Sequence, residues 1–310
     1  MVAAPGRFPS GVLRVLKMLS DIECLVDERY AVSESPLWEP SRGWLFWTHN
    51  TSCDVHAIDI ASARRRIWQF EGLAGSLGLA RSGRLVVAHG NQISLMEIDT
   101  GRRELVAKID LPPAVWKLND GKVGPDGAFW VGTMAHAEPE RLPAASLYRI
   151  TADGKAETKI DGGIMVSNGL AWSPDGTRMY HSDSQGMWID IWDFDARTGE
   201  ISNRRRFAEP DRKEGLPDGA ATDIEGYYWS GAFSACAFNR FAPDGTLAGK
   251  YPVPAACSMP CFGGDDMKTL FFTSLSHAVR PEEVAHCPQT GGVFMARSQI
   301  AGLPIDLFAD

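Results

Sequence analysis

One phrase recurs along this chain: a turn glycine, a polar residue, then a short apolar and aromatic run. It appears as Gly43 in RGWLFW, Gly83 in SGRLVVA, Gly127 in DGAFWVG, Gly176 in DGTRMYHS and Gly226 in EGYYWSG. In the last copy Met267 stands in the slot, in DDMKTLFFT. Six copies at intervals of 40 to 50 residues match the length of a four-stranded propeller blade. Between the markers lie further alternating pieces such as Leu147-Tyr-Arg-Ile150 and Ile191-Trp-Asp-Phe194. Hairpin turns such as Ala152-Asp-Gly154 and Pro243-Asp-Gly245 follow several of them. Each interval therefore holds about four short strands. The pattern predicts an all-β, six-bladed β-propeller with a site at one mouth of its central channel. Residues 1–20 read as an N-terminal tail or capping segment and 21–310 as a single propeller domain, with residues 22–26 closing the last blade as an added strand.

In a propeller the innermost strands run alike beside one axis, so residues at their starts meet at one mouth. Eight residues before each marker stand Gly75, Asn119, Asn168, Asp218 and Met259; the first blade needs nine, reaching Glu34. Three positions share a local phrase: Asn119-Asp-Gly121, Asn168-Gly169 and Asp218-Gly219. Asn-Gly and Asp-Gly also serve simply as turn formers. Four oxygen-bearing side chains at a shared offset argue instead for a ring of hard donors suited to Ca²⁺, Mg²⁺ or Mn²⁺. Two carboxylates there would repel without a cation.

Charge and cysteine usage narrow the setting. A net charge of −8 disfavours nucleic acid and anionic membranes as general partners. No apolar run approaches the roughly 20 residues that cross a bilayer. The six cysteines include no Cys-x-x-Cys pair, which excludes zinc ribbons and a thioredoxin-like motif. Cys257 and Cys261 are the nearest pair, and reduced buried thiols in a cytoplasmic protein are expected. No Gly-x-Ser-x-Gly elbow marks a serine esterase.

Several phrases resemble the family of senescence marker protein 30 (regucalcin), the gluconolactonases and related sugar-acid lactonases. They are Ser33-Glu-Ser-Pro36, Asn119-Asp-Gly-Lys-Val123, Gly132-Thr-Met134, Ser167-Asn-Gly-Leu-Ala-Trp-Ser-Pro-Asp175, Pro217-Asp-Gly219, Pro260-Cys-Phe-Gly-Gly264 and Gly291-Gly-Val-Phe294. The resemblance implies one divalent metal ion (Ca, Zn, Mn, Mg or Fe) held by Glu34, Asn168 and Asp218. It also implies that Asn119 contacts substrate or a metal-bound water. The implied partner is a small-molecule lactone; the protein is expected as a monomer or weak homo-oligomer, and the mechanism expected of such a site uses Asp218 as general base. Lys117 stands where the family often has Arg, and His136 where its animal members have Glu. With Asn119, these two are the expected substrate contacts, although a solvated loop position explains His136 better than a role at the mouth. The changed residues keep open a hydrolase of other lactones or organophosphate esters; a non-enzymatic calcium-binding propeller is a further alternative. Asp183 reads as a structural bond partner, Asp120 as a brace for the Asn119 turn, and the Arg-rich runs 64–66 and 204–206 as solvated faces. All ten tryptophans are expected in blade packing.

Overall fold

A computed structural model describes residues 18–137 and 142–310. Six sheets, antiparallel but for one short added strand, carry nearly all of its regular secondary structure. Their innermost strands are Ser33–Glu39, Ala74–Ala80, Val115–Val123, Ser167–Trp172, Pro217–Thr222 and Cys257–Gly263. Each passes through a tight turn to a second strand and thence outward, so the expected six-bladed β-propeller is the fold. The innermost strands are almost wholly buried, while outer ones such as Glu200–Ala208 are mostly exposed. Aromatic and branched residues fill the gaps between blades, as with Phe46, Trp68, Leu77 and Val87 between the first and second.

The six repeat markers have one physical meaning. Gly43, Gly83, Gly127, Gly176 and Gly226 all adopt left-handed backbone, with φ between 65° and 83°. Met267 takes the same conformation at φ 54°. In five of the blades the marker's N–H bonds back three residues, as from Gly176 to Ser173 (2.9 Å) and Met267 to Gly264 (3.2 Å). These turns end the innermost strands, so they lie at the channel end opposite Glu34, Asn119, Asn168 and Asp218. Eight residues of strand put roughly 26 Å between the two ends.

Both ends of the described chain lock the ring. Leu19–Val26 pairs antiparallel with Val293–Ser298 and completes the sixth blade. Residues 19 and 20, assigned to a tail from sequence, are thus the first of this closing strand; residues 1–17 lie outside the described residues. At the other terminus, Leu303 N–H bonds Thr222 of blade five (3.0 Å). Leu307–Phe308 then adds a parallel strand to blade two, and Ala309 N–H reaches Gly127 of blade three (2.9 Å). Sequence patterning missed this crossing, because a two-residue strand carries no period.

Two further expectations are corrected. Cys236 and Cys287 form a disulfide against the expectation of reduced thiols, an expectation that Cys257 and Cys261, free and buried, do meet. The arginine run 204–206 is not simply solvated: Arg204 and Arg206 both pair with the buried Asp190 (2.6 and 2.7 Å).

Gly83 offers a clean measure of the marker's role. Nothing lies within 4 Å of a Cβ added there, yet φ is +81°. We predict that Gly83→Ala destabilises by about 1–2 kcal/mol from backbone strain alone. Thermal unfolding by circular dichroism reads this as a melting midpoint lowered by a few degrees; an unshifted midpoint would refute it.

Candidate active site

All six innermost strands slip register at the same end. The irregularities fall between Glu34 and Leu37, Ala74 and Ser76, Leu118 and Gly121, Asn168 and Ala171, Pro217 and Ala220, and Cys257 and Pro260. Bulges of this kind re-aim side chains. In two blades the residue after the ring position is left-handed: Ser35 at φ 51° and Gly169 at φ 68°. Gly75, the second blade's ring position, has no room for a side chain. A Cβ there would sit 2.6 Å from the Leu118 carbonyl, so blade two contributes close backbone approach in place of a donor.

Glu34, Asn119, Asn168 and Asp218 are all buried here, and a chain of hydrogen bonds orients the amides. Ser184 Oγ donates to the Pro217 carbonyl (2.6 Å), so its lone pairs accept from Asn168 Nδ2 (2.7 Å). That turns the Asn168 carbonyl oxygen the other way, where it accepts from Asn119 Nδ2 (3.0 Å). The second N–H of that amide goes to the Ser167 carbonyl (3.0 Å). Asn119 Oδ1 accepts from Asn50 Nδ2 (3.3 Å). Lys117 Nζ, also buried, bonds both the backbone carbonyl (3.0 Å) and the side-chain oxygen of Asn50. Both Asn119 N–H groups are committed, so it offers an incoming molecule an acceptor oxygen and no donor.

The electrostatics are unusual. Burial, then the Asp120 carboxylate, raises Glu34 to about 8, with Lys117 opposing. Burial, then Glu34 and Asp120, pushes Asp218 well above the usual range. Asp120 is itself raised by burial, against Lys122 and backbone donors. One Asp120 oxygen accepts from Leu170 N–H (3.3 Å); the other is buried with no partner. Asp120 therefore does more than brace a turn, since it loads the ring with a third carboxylate. Lys122, lowered by burial, donates to the Ala220 carbonyl (2.5 Å). It lines a cavity of about 340 Å³ that runs below the ring to residues 303–306. This cavity belongs to the channel's turn end, away from the mouth.

Sequence reasoning missed Asn50, Ser184 and the Asp120–Lys122 pair. Asn50 stands outside every repeated phrase of the sequence. Its partners lie 67 and 69 residues away, and no local pattern reports them. Asp183 does play the expected structural part, accepting from the N–H groups of Met165, Val166 and Gln185 (2.7, 3.1 and 3.0 Å). His136 is exposed on the rim, its backbone N–H bonded to Ala114 (2.9 Å). Trp116 departs from the blade-packing expectation: it is 43% exposed beside Lys117.

A closed six-bladed propeller with a polar, carboxylate-rich ring on its axis defines a class of protein. Residues 32–276 match the family model described as SMP-30/Gluconolactonase/LRE-like region, and the chain belongs to that family. It is 32% identical over 293 residues to regucalcin of Xenopus laevis, covering 92% of this chain and 95% of that protein. It is also 32% identical over 295 residues to a 6-deoxy-6-sulfogluconolactonase of Pseudomonas putida, covering 94% and 100%. A solved structure described as a calcium-binding protein, regucalcin, from Agrobacterium tumefaciens superposes with a TM-score of 0.86 at 26% identity. That match covers 94% of this chain and 98% of the other. Among the described residues no helix is long and apolar enough to cross a membrane.

The raised carboxyls make a stability prediction. A carboxyl whose folded pKa exceeds its unfolded value holds extra protons when folded, so its contribution is present below the unfolded pKa and lost as pH rises through the folded one. For Glu34 the window runs from about 4.5 to about 8. Metal-stripped protein should melt progressively lower from pH 5 to pH 8, and Glu34→Gln should flatten that slope. Differential scanning calorimetry in EDTA tests it; identical slopes for the two proteins would contradict the assignment.

Proposed function

We propose that this protein is a metal-dependent lactonase that opens the ring of a sugar-acid lactone, with Glu34, Asn168 and Asp218 holding the cation. The observation that carries this reading is the ring itself. Two mutually repelling buried carboxyls, an amide oxygen fixed by its neighbours and an orphaned Asp120 oxygen form a hard-oxygen donor set short of positive charge. Family membership supports the substrate class: one relative is named a 6-deoxy-6-sulfogluconolactonase. Calcium fits the donors and the description of the Agrobacterium relative; magnesium, manganese, iron and zinc compete for the same oxygens.

A bound divalent ion would lend Lewis acidity to the lactone carbonyl and acidify a water molecule. The remaining work falls to the chain. Asp218, ionised once its charge is compensated, takes a proton from the attacking water as general base. The new carbon–oxygen bond forms at the carbonyl carbon, the ring carbon–oxygen bond breaks, and the departing ring oxygen receives the proton. Lys117 is the donor able to meet developing negative charge. Asn119, limited to accepting, orients a sugar hydroxyl. Asn50 sets both, because it bonds Lys117 and Asn119 at once. The exposed ring of Trp116 beside Lys117 gives the sugar a flat wall.

We predict that Asp218→Asn lowers lactonase kcat about a hundredfold or more with an unchanged circular dichroism spectrum. Glu34→Gln should weaken cation binding in calorimetry. An aldonolactone panel followed by pH indicator, with and without EDTA, decides: turnover that survives both chelation and Asp218→Asn sinks the reading. Tight calcium binding with no turnover would favour a calcium-binding propeller, as the Agrobacterium relative's description suggests. Turnover of paraoxon but no lactone would favour a phosphoesterase. Asn50→Ala should cost roughly tenfold to a hundredfold in kcat/KM through misplacement of Lys117 and Asn119, and unchanged kinetics would remove Asn50 from the machinery.

A further inference from the structure

Blade one carries a second set of ligating side chains that the axial ring does not use. Its strands Trp44–His49 and Asp54–Asp59 pair Trp47 with His56 and His49 with Asp54. Side chains alternate across a strand, so these four residues share one face. That face turns toward blade six, where Trp47 packs with Tyr30, Phe271 and Val293. One donor atom from each of His49, Asp54 and His56 lies within 4.8 Å of the others.

His56 makes this more than proximity. It is 4% exposed, and both its ring nitrogens lack a hydrogen-bond partner. Leaving a buried polar group unpaired costs about 1–3 kcal/mol. The ring cannot easily turn away, since Trp47 stacks on it at 5.4 Å and Tyr30 meets it edge-on at 5.3 Å. The other two members are steered from outside the trio: Thr51 Oγ1 bonds His49 Nε2 (3.1 Å) and Ser52 Oγ bonds Asp54 (3.0 Å). Supporting bonds of this kind orient ligands at metal sites. Arg65, the nearby cation, is engaged by Glu28 and the Tyr30 hydroxyl.

We propose that His49, Asp54 and His56 form a second metal site, for a first-row transition ion of the zinc type, separate from the oxygen ring on the axis. Two imidazoles and a carboxylate suit zinc, cobalt, nickel or iron(II) and are a poor set for calcium or magnesium. Ligands about 2.0–2.1 Å from zinc stand roughly 3.4 Å apart, so binding draws the trio inward by side-chain rotation. His49 and Asp54 are half-buried and leave a route from solvent. The ion would clamp the turn 49–54, which carries Asn50 and thus the bonds to Lys117 and Asn119. The other ligand-rich group, Cys236, His286 and Cys287, has its sulfurs tied up in the disulfide.

Cobalt(II) titration of the metal-stripped full chain, read by visible absorption, tests the site. Four- or five-coordinate cobalt with imidazole ligands gives intense visible bands, whereas six-coordinate oxygen sites give weak ones. The bands should appear in the wild type and persist in Asp218→Asn, and zinc should displace them. His49→Gln and Asp54→Asn, at half-buried positions where folding is secure, should each weaken cobalt binding on the order of tenfold or more; His56→Gln should do the same. Absence of intense bands in the wild type, or bands unaffected by His49→Gln and Asp54→Asn, overturns the proposal. Bands lost only in Asp218→Asn would also overturn it, and would assign the signal to the axial ring. Because this readout ignores turnover, it stands or falls apart from the lactonase reading.

Discussion

Burial of like charge on a shared axis is the constraint on which the rest of this structure depends. Glu34, Asp120 and Asp218 bring three carboxyl groups into a space that water reaches poorly, and Lys117 and Lys122 bring two amines. Fully ionised, the set would carry a net charge of −1. Each carboxyl is pushed toward its neutral form first by burial and next, for Glu34 and Asp218, by the others. Such an arrangement survives folding only where the scaffold is held by something else. Here that is the closed ring of blades, locked by the N-terminal strand on blade six and by the C-terminal crossing from blade five to blades two and three.

Ring closure also explains the detail of the site. Six innermost strands converging on one axis must approach backbone to backbone, which is why Gly75 has no space for a side chain beside Leu118. Convergence leaves polar groups facing one another in place of solvent, and buried polar groups must be paired. The route from Lys117 through Asn50, Asn119, Asn168 and Ser184 to the Pro217 carbonyl meets that demand across four blades. One Asp120 oxygen stays buried beside it without a partner. Site and scaffold are thus one hydrogen-bonded object, and the amides hold their orientation before any ligand arrives.

Much of this was legible in the sequence because a propeller is a repeat. The turn residue needs left-handed backbone in every blade, so glycine recurs at the marker, and even the exception, Met267, adopts the conformation the slot requires. A fixed offset from that marker lands on the innermost strand of all six blades. What escaped has no repeat behind it. Asn50 and Ser184 act across blade boundaries, the strand Leu307–Phe308 is too short to show a period, and the Cys236–Cys287 pair spans 51 residues. Asp120 looked like turn chemistry because Asn-Asp-Gly is a turn phrase; only burial among other carboxyls reveals its second part.

The same geometry separates what can change from what cannot. Glu34, Asn168 and Asp218 sit at bulges within buried strands, and moving any one disturbs the register of a blade. Trp116 and His136 stand exposed on the rim, where substitution leaves the ring untouched and, on the proposed lactonase reading, would change only what the mouth meets first. Lys117 falls between these cases. Its ammonium is buried and bonded to Asn50, so exchanging it for a longer, planar guanidinium would require Asn50 to move as well. In this chain Lys117 and Asn50 are therefore coupled choices: on the proposed reading the pair would tune the mouth together, and neither would set its selectivity alone.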